Sequence, residues 1–440
     1  MKPRFSTEDV LRGLSPPTVP MVERLLEEAQ RGKWPIYLVG GPVRDMVLER
    51  PIRDVDLLIE SSDLGSAGDL ARRAYGDRHR IVVHQRFGTV HVEGPGGGVD
   101  LATSRRETYS RPGALPRVEG ASLEEDLRRR DFTVNAMIVP LDVRDRGRRQ
   151  PVVAVDSALE DLRARQLRTF HAASFHDDPT RVLRAARLAP RLGFHLARNT
   201  RSQVRAALRD GVFGAVSGER LRREFERLFE DAELGLDPAE ALRNLSSWYV
   251  LAALEPGLGL SRDVIAPLRR LGRWIAEPRW RGPRMRPWVA GMSLWLGGEE
   301  SAVRRRTLRR LSVRGDTGDR VRDFARDRDR RLRRLASARG RGAVDSVLAG
   351  IDEESLSGLY ASADAKLRRR VERWAGEDRR QRSPVGGSDL VALGLSGPAL
   401  GRALARIRAA YLDGGVANRE EALALAREIS RRKPRSRSVR

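Results

Sequence analysis

The 440-residue sequence contains no cysteine, which excludes disulfides, thiolate metal sites and a cysteine nucleophile together. No stretch reaches the roughly 18 consecutive apolar residues that a membrane-spanning helix needs. Met1 to Ser6 lack the apolar run of a secretory signal. The expectation is a cytoplasmic protein with no membrane association and no protein partner evident. The six histidines do not cluster: His84 and His91 fall on neighbouring candidate strands, and no two sit at helical metal-binding spacing with a carboxylate. No internal repeat of fixed period is present.

Lysine is nearly missing as well. Of 84 basic residues, only Lys2, Lys33, Lys366 and Lys433 are lysine, so the other 80 are arginine. Arginine offers planar forked donors, whereas lysine offers a point charge. Against 60 acidic residues this leaves a formal +24. A GC-rich coding bias would raise arginine along the whole gene. The excess is instead local: net 0 over residues 1–140, +3 over 141–260 and +21 over 261–440. A charge placed that way suits a polyanion, nucleic acid above all. Hydrophobic content of 40% over this length allows more than one core, and two to four domains are expected.

Along the chain, Ile36 to Val39 reads as a buried strand stopped by Gly40-Gly41-Pro42, and Val43 to Glu49 as a short helix. A second strand follows at Val55 to Ile59, a helix at 66–75 and strands at 80–85, 88–93 and 99–103, with a Gly94 to Gly98 turn containing Pro95. From about 157 the strand signal fades. Helical spacing appears at 179–194, 217–230, 238–251, 301–311, 354–374, 397–411 and 419–430. Residues 303–341, rich in Arg with interleaved Asp, read as a solvated basic helix face, and 431–440 as a disordered basic tail.

Chemistry concentrates in three segments. In Gly40-Gly41-Pro42-Val43-Arg44-Asp45, backbone N–H groups of a glycine turn and a following helix start suit a phosphate, with Arg44 placed to grip it. Asp54 and Asp56, two apart on a strand, put two carboxylates on one face, a repulsion that a divalent cation relieves. In the third, Asp178 is a natural N-cap and Pro179 a first-turn residue; Arg181, Arg184, Arg187 and Arg191 then share one side of a helix.

Tyr37 to Glu60 resembles the first motif of the bacterial tRNA nucleotidyltransferase and poly(A) polymerase family, within the polymerase-β-like superfamily. Leu123 to Met137 is similar to that family's second signature, and Asp177 to Phe194 to its nucleotide-selecting helix. The resemblance implies an α+β chain: a polymerase-β-like nucleotidyltransferase head, a mixed sheet with helices, followed by an all-α neck, body and tail. The expected boundaries are an N-terminal extension at 1–30, the catalytic head at 31–142 and a helical neck at 143–260. A basic helical body at 261–380, an RNA-binding tail module at 381–430 and the basic tail at 431–440 complete the chain.

It further implies transfer of CMP or AMP from CTP or ATP to the 3′ end of tRNA. Asp54 and Asp56 would hold Mg²⁺, Asp100 would be a third catalytic carboxylate, and Gly40, Gly41, Arg44, Arg130, Asp131, Asp178, Arg181, Arg184 and Arg187 would bind nucleotide. A carboxylate and an arginine at Asp178 and Arg181 would accept from and donate to the edge of C or A. The sequence departs from the family pattern at Asp177, where Glu is usual, in a loop at 156–162 that lacks a glycine pair, and at Pro190, which should kink or end the helix. The polar stretch from Ser104 to Asp126 is expected to be a mobile loop opened by an Arg105–Glu107 ion pair. Poly(A) addition to other RNAs and non-catalytic RNA binding are the alternative functions.

Overall fold

The computed structural model describes residues 2–76, 79–94 and 97–431, and the chain divides into two compact units, Met1–Ser217 and Gly218–Arg440. That division falls inside the segment 143–260 expected as a neck. Pro95 of the expected turn, and 432–440 of the expected tail, lie outside the described residues; Arg431 closes the last helix.

The first unit is built on a seven-stranded mixed sheet. Its strands are β1 (Ile36–Val39), β2 (Val55–Ile59), β3 (Ile81–His84), β4 (Thr89–Gly94), β5 (Gly97–Thr103), β6 (Met137–Pro140) and β7 (Val153–Ala154), in the order β7-β6-β1-β2-β5-β4-β3. Every neighbouring pair is antiparallel except β2 and β5, which run parallel. Leu38, Leu57, Leu58 and Ile59 are fully buried in the middle of this sheet, each contributing about 1.5–3 kcal/mol. Helix α1 (Gly41–Val47) follows β1, and α2 (Ser66–Tyr75) packs Leu70, Ala71 and Ala74 inward. Leu58, on the Asp56 side of β2, shares a core cluster with Leu127 and Ile138. The sheet therefore reaches β7, past the residue 142 expected to end the head.

Two sequence expectations in this unit change. The stretch after Ser104 is an ordered ribbon, Arg105–Thr108 paired antiparallel with Arg117–Gly120, leading into α3 (Leu123–Arg128). Helix α4 (Thr180–Leu192) does not stop at Pro190: it runs two residues further to a Gly193 cap with φ +71°. Pro190 has no N–H to donate to the carbonyl four residues back, and the helix ends within a turn of it. Without its glycine pair, the 156–162 loop turns on Asp156 itself, at φ +48°.

The second unit is helical. The periodic run at 238–251 breaks at Tyr249, φ +64°, and that at 354–374 breaks where Asp364 caps a new helix by accepting from the Leu367 N–H at 2.8 Å. Residues 303–341 span three helices, Ser301–Arg310, Gly315–Ser337 and Gly340–Leu348, with Val303, Leu308, Val321, Phe324 and Leu335 buried. Helix Pro287–Gly297 carries no apolar stripe because nearly every residue in it is buried, so periodicity could not reveal it. Trp274, Trp280 and Trp295 are core residues. No helix among the described residues is long and apolar enough to cross a membrane.

Gly291 lies in that buried helix, where a Cβ would run into the Phe229 ring. Gly291→Ala should cost about 1–3 kcal/mol by overpacking, read as a lowered urea midpoint. Gly376→Ala, whose Cβ would meet nothing within 4 Å, should leave the midpoint unchanged or slightly higher.

Candidate active site

The turn between β1 and α1 depends on Gly40, at φ +78° and ψ −127°, a conformation that side-chain-bearing residues avoid. Its N–H donates to the Met137 carbonyl at 2.9 Å, and a Cβ there would sit 2.9 Å from Arg130 Nη1. Glycine thus lets Arg130 approach the backbone. Gly41 opens the helix, and Arg44 N–H closes its first turn on the Gly40 carbonyl. The Arg44 side chain does not reach outward to a phosphate. It is 3% exposed, with Nε and Nη2 donating to Asp45 Oδ1 at 2.9 and 2.8 Å and Nη1 to Asn135 Oδ1 at 2.6 Å.

The acidic residues come together across three strands. In the parallel ladder Asp56 is the partner of Asp100, and in the antiparallel ladder Asp100 is the partner of His91. Paired residues project to the same face of a sheet, so Asp56, Asp100 and His91 form a row, with Asp54 exposed at the bend just before β2. Burial, then the Asp100 charge and to a lesser degree that of Asp54, push the Asp56 carboxyl up to about 6, against the pull of Arg130. Neither Asp54 nor Asp56 accepts a hydrogen bond from a protein group among the described residues.

Asp100 is held at 2.7 Å from His91 Nδ1. Gly98 makes room for that imidazole, since a Cβ there would run into its ring. A cavity of about 160 Å³ beside them is lined by Asp54, His91, Asp100, Gly97 and Gly98. Among the described residues, no three His, Cys, Asp or Glu side chains are gathered as a ready metal cage. The unsatisfied pair of Asp54 and Asp56 nevertheless suits a hard divalent cation: all oxygen donors, repelling one another, one of them buried.

Sequence reading missed the group that holds the cationic side in place. Asp126 is 0% exposed and accepts from Arg129 Nε and Nη2 at 2.9 and 2.6 Å and from Arg130 Nη2 at 2.9 Å. Glu107 accepts from Arg129 Nη1 at 2.8 Å, from Arg105 Nε at 3.3 Å and from the Tyr109 hydroxyl at 2.8 Å. The Arg105–Glu107 pair thus exists, inside a larger network. Spacing of Asp126 to Arg129 and Arg130 by three and four residues was the legible sign; the cross-ribbon partner Glu107 left none. Arg130 Nε is buried without an acceptor, an open donor beside the acidic row.

Helix α4 joins the same network. Asp131 Oδ2 accepts from Arg184 at 2.9 and 2.7 Å, and Oδ1 accepts from Asn135 at 3.0 Å. Burial alone would raise the Asp131 carboxyl, but Arg184, Asn135 and Arg181 hold it below its usual range. Asp178, expected as the N-cap, lies one residue before the Pro179 cap and accepts from the Thr180 N–H at 3.0 Å and its hydroxyl at 2.7 Å. Arg181, 6% exposed, donates inward to Ser174 Oγ at 2.7 Å and to the Arg129 carbonyl at 2.8 Å. Arg187 lies part-buried one turn beyond. The structure therefore ties Arg181 to the Arg129 backbone beside Arg130, and separately pairs Asp131 with Arg184 and Asn135.

Burial pushes the Asp126 carboxyl up, but Arg130 and Arg129 outweigh burial and hold it below its ordinary value. Asp126→Asn strands a mostly buried guanidinium and should cost about 3–5 kcal/mol in urea unfolding at neutral pH. A depressed folded-state pKa contributes stability above the unfolded value, about 3.9, and loses it as pH falls through the folded one. The gap between wild type and variant should therefore close below about pH 4. Glu124→Gln, at an exposed pair with Arg128, should change stability by less than about 0.5 kcal/mol.

Comparison with known proteins agrees with this geometry. Residues 36–168 match the family model described as the poly A polymerase head domain. An A-adding tRNA nucleotidyltransferase of Geobacter sulfurreducens is 31% identical over 428 residues, 94% of this chain but 47% of that protein. The chain thus spans about half the length of that relative, and 28% of an Aquifex aeolicus A-adding tRNA nucleotidyltransferase that is 39% identical over 242 residues. A CC-adding tRNA nucleotidyltransferase of Deinococcus radiodurans is 30% identical over 88% of this chain and 87% of its own length. The solved structure of a CCA-adding enzyme in apo form II superposes with TM-score 0.74 at 26% identity, covering 96% of this chain and 99% of the other. With the head domain matched and the Deinococcus relative aligned over most of both chains, this protein belongs to the tRNA nucleotidyltransferase family.

Proposed function

We propose that the chain transfers CMP or AMP from CTP or ATP to the 3′ end of tRNA without a template. The observation that carries this reading is the row of Asp54, Asp56 and Asp100 beside Arg130, inside the matched head domain. Nucleotidyltransferases of this family use divalent metal ions; Mg²⁺ is the proposed ion here, held by Asp54 and Asp56, with Asp100 as the third carboxylate. A bound divalent ion would lower the pKa of the attacking 3′ hydroxyl and neutralise the leaving pyrophosphate.

The protein's own groups do the positioning. Gly40, whose own N–H is spent on the Met137 carbonyl, shapes the turn, and Gly41 brings a backbone N–H to the triphosphate. Arg130, held by Asp126 and with Nε open, meets its negative charge. Asp131 and Arg184, which hold each other, orient the sugar and phosphates, and Arg187 extends that side. Arg44 acts by bracing Asp45 and Asn135 rather than by direct grip. Asp178 and Arg181 read the base: a carboxylate accepts from the amino group that C and A share, and G and U present a carbonyl there instead. Arg181 must exchange its Ser174 contact for the base edge. Regions 261–380 and 381–430 are proposed to hold the RNA by its phosphates and shape, in the cytoplasm.

The relatives named above add A, CC or CCA, so the assay must separate them. Purified protein is incubated with tRNA transcripts lacking CCA and ending in CC, with each nucleotide and Mg²⁺. Addition limited to the missing positions supports the proposal; an open-ended A ladder on generic RNA would sink it. Asp56→Ala should lower transfer by at least about a thousandfold, and chelation of divalent ions should abolish it reversibly.

The structure also divides the arginines of 303–341. Arg320 bonds Asp352 and Glu354 at 3.1 and 2.8 Å, Arg306 bonds Glu255, and Arg322 bonds Asp319 and Asp323, so these serve folding. Arg333, Arg334 and Arg339 are exposed and form no ion pair among the described residues. Replacing those three by Gln should raise the KM for tRNA and flatten its salt dependence without lowering the melting temperature. Equal salt slopes in the triple variant and wild type would count against an RNA-facing role for this helix.

A further inference from the structure

The helical unit also gathers positive charge around one open cavity. A cavity of about 800 Å³ lies between helix Arg262–Ala276 and the helices Glu353–Ser362 and Ala365–Gly376, and five arginines line it. Arg269 is neutralised by Asp237 at 2.8 Å. The other four, Arg270, Arg273, Arg279 and Arg368, have far less to balance them. None of these four forms an ion pair among the described residues. The remaining lining carboxylate, Glu277, is exposed and forms no ion pair there.

Part of this cluster has a structural reason. Arg270 Nε donates to the Ala361 carbonyl at 2.6 Å and Arg368 Nη1 to the Ala363 carbonyl at 2.7 Å, satisfying the negative end of helix Glu353–Ser362. That accounts for one nitrogen of each and for neither Arg273 nor Arg279. The other guanidinium nitrogens of Arg270 and Arg368 have no protein acceptor among the described residues. Burial, then the facing charges of Arg368 and Arg273, push the Arg270 guanidinium below its usual range. Trp274, 7% exposed, lines the same cavity, and its indole N–H is buried without an acceptor. Like charges without carboxylate partners, two of them part-buried, and an orphan donor around one cavity are features that a multidentate anion would complement.

We propose that this cavity is a binding site for a phosphate group, carried either by an RNA backbone or by a free phosphate compound. A tetrahedral phosphate offers several acceptor oxygens to converging guanidinium forks, which a single carboxylate does not. The site uses no residue of the head, so it stands or falls independently of the transfer reaction.

The test uses the full chain without divalent ions, titrated calorimetrically at fixed ionic strength with inorganic pyrophosphate and, separately, with a short RNA duplex. Arg273→Gln/Arg279→Gln should weaken at least one of the two by about tenfold or more, the loss of one or more charge-assisted hydrogen bonds. Loss confined to pyrophosphate identifies a free phosphate compound; loss confined to the duplex identifies backbone phosphate; loss in both supports the shared chemistry. Arg144→Gln/Arg148→Gln removes the same charge from exposed positions of the first unit, outside the cavity, and should leave both affinities within about twofold. Equal weakening by this control, or no weakening by the cavity variant, overturns the proposal. If the cavity variant melts early, Trp274→Phe decides: it keeps a smaller aromatic side chain and removes the orphan donor without changing the charge, so unchanged binding to both probes rejects the site.

Discussion

The parallel pairing of β2 with β5 sets Asp56 opposite Asp100, and much of the first unit follows from that register. Two carboxylates on neighbouring strands, with a third two residues before one of them, repel in a part-buried setting. The fold tolerates this because cationic groups stand close by and are themselves fixed. Arg130 is anchored by Asp126, and Asp126 also holds Arg129, which ties the ribbon to α3 through Glu107. A shift of the ladder by one residue would send Asp56 to the opposite face and leave these arginines without the charge they complement.

Two arginines of this unit, Arg44 and Arg181, are turned inward, and Arg184 is tied to Asp131. Arg44, Arg181 and Arg184 each spend their donors on Asp45, Asn135, Ser174, Asp131 or a backbone carbonyl. Such satisfied networks hold side-chain geometry where loose arginines would sample many rotamers. They also mean that nucleotide recognition exchanges one set of hydrogen bonds for another, a nearly balanced step in which small differences between bases can decide the outcome.

In the second unit the same residue type does three different jobs. Arg320, Arg306 and Arg408 hold helices together through carboxylates; Arg408, for instance, bonds Asp345 at 2.7 Å. Arg333, Arg334 and Arg339 face solvent. Arg270, Arg273, Arg279 and Arg368 surround a cavity. A net charge of +21 over residues 261–440 therefore overstates the surface available to a polyanion, since structural pairs consume donors.

Strands β1, β2 and β5, the helix after the glycine turn, and the order of the three motifs were legible in the sequence because they depend on local pattern, a buried apolar run and a glycine stop; Asp54, expected on the strand with Asp56, lies instead at the bend just before it. Helix breaks at Tyr249 and Asp364 were not, since apolar spacing continues across both and only packing and a cap show the interruption. The ribbon at Arg105–Gly120 was read as loop because its stability comes from cross-strand partners distant in sequence. What the sequence alone determined is which acidic and basic residues are present and which face of a strand or helix each occupies, for those follow from the periods of the backbone. The tertiary structure decided which charges meet: Asp56 with Asp100, Asp126 with Arg130, and Arg44 with Asp45 and Asn135 instead of an outward phosphate. Pairing at that level depends on strand register and long-range packing, which no local spacing encodes.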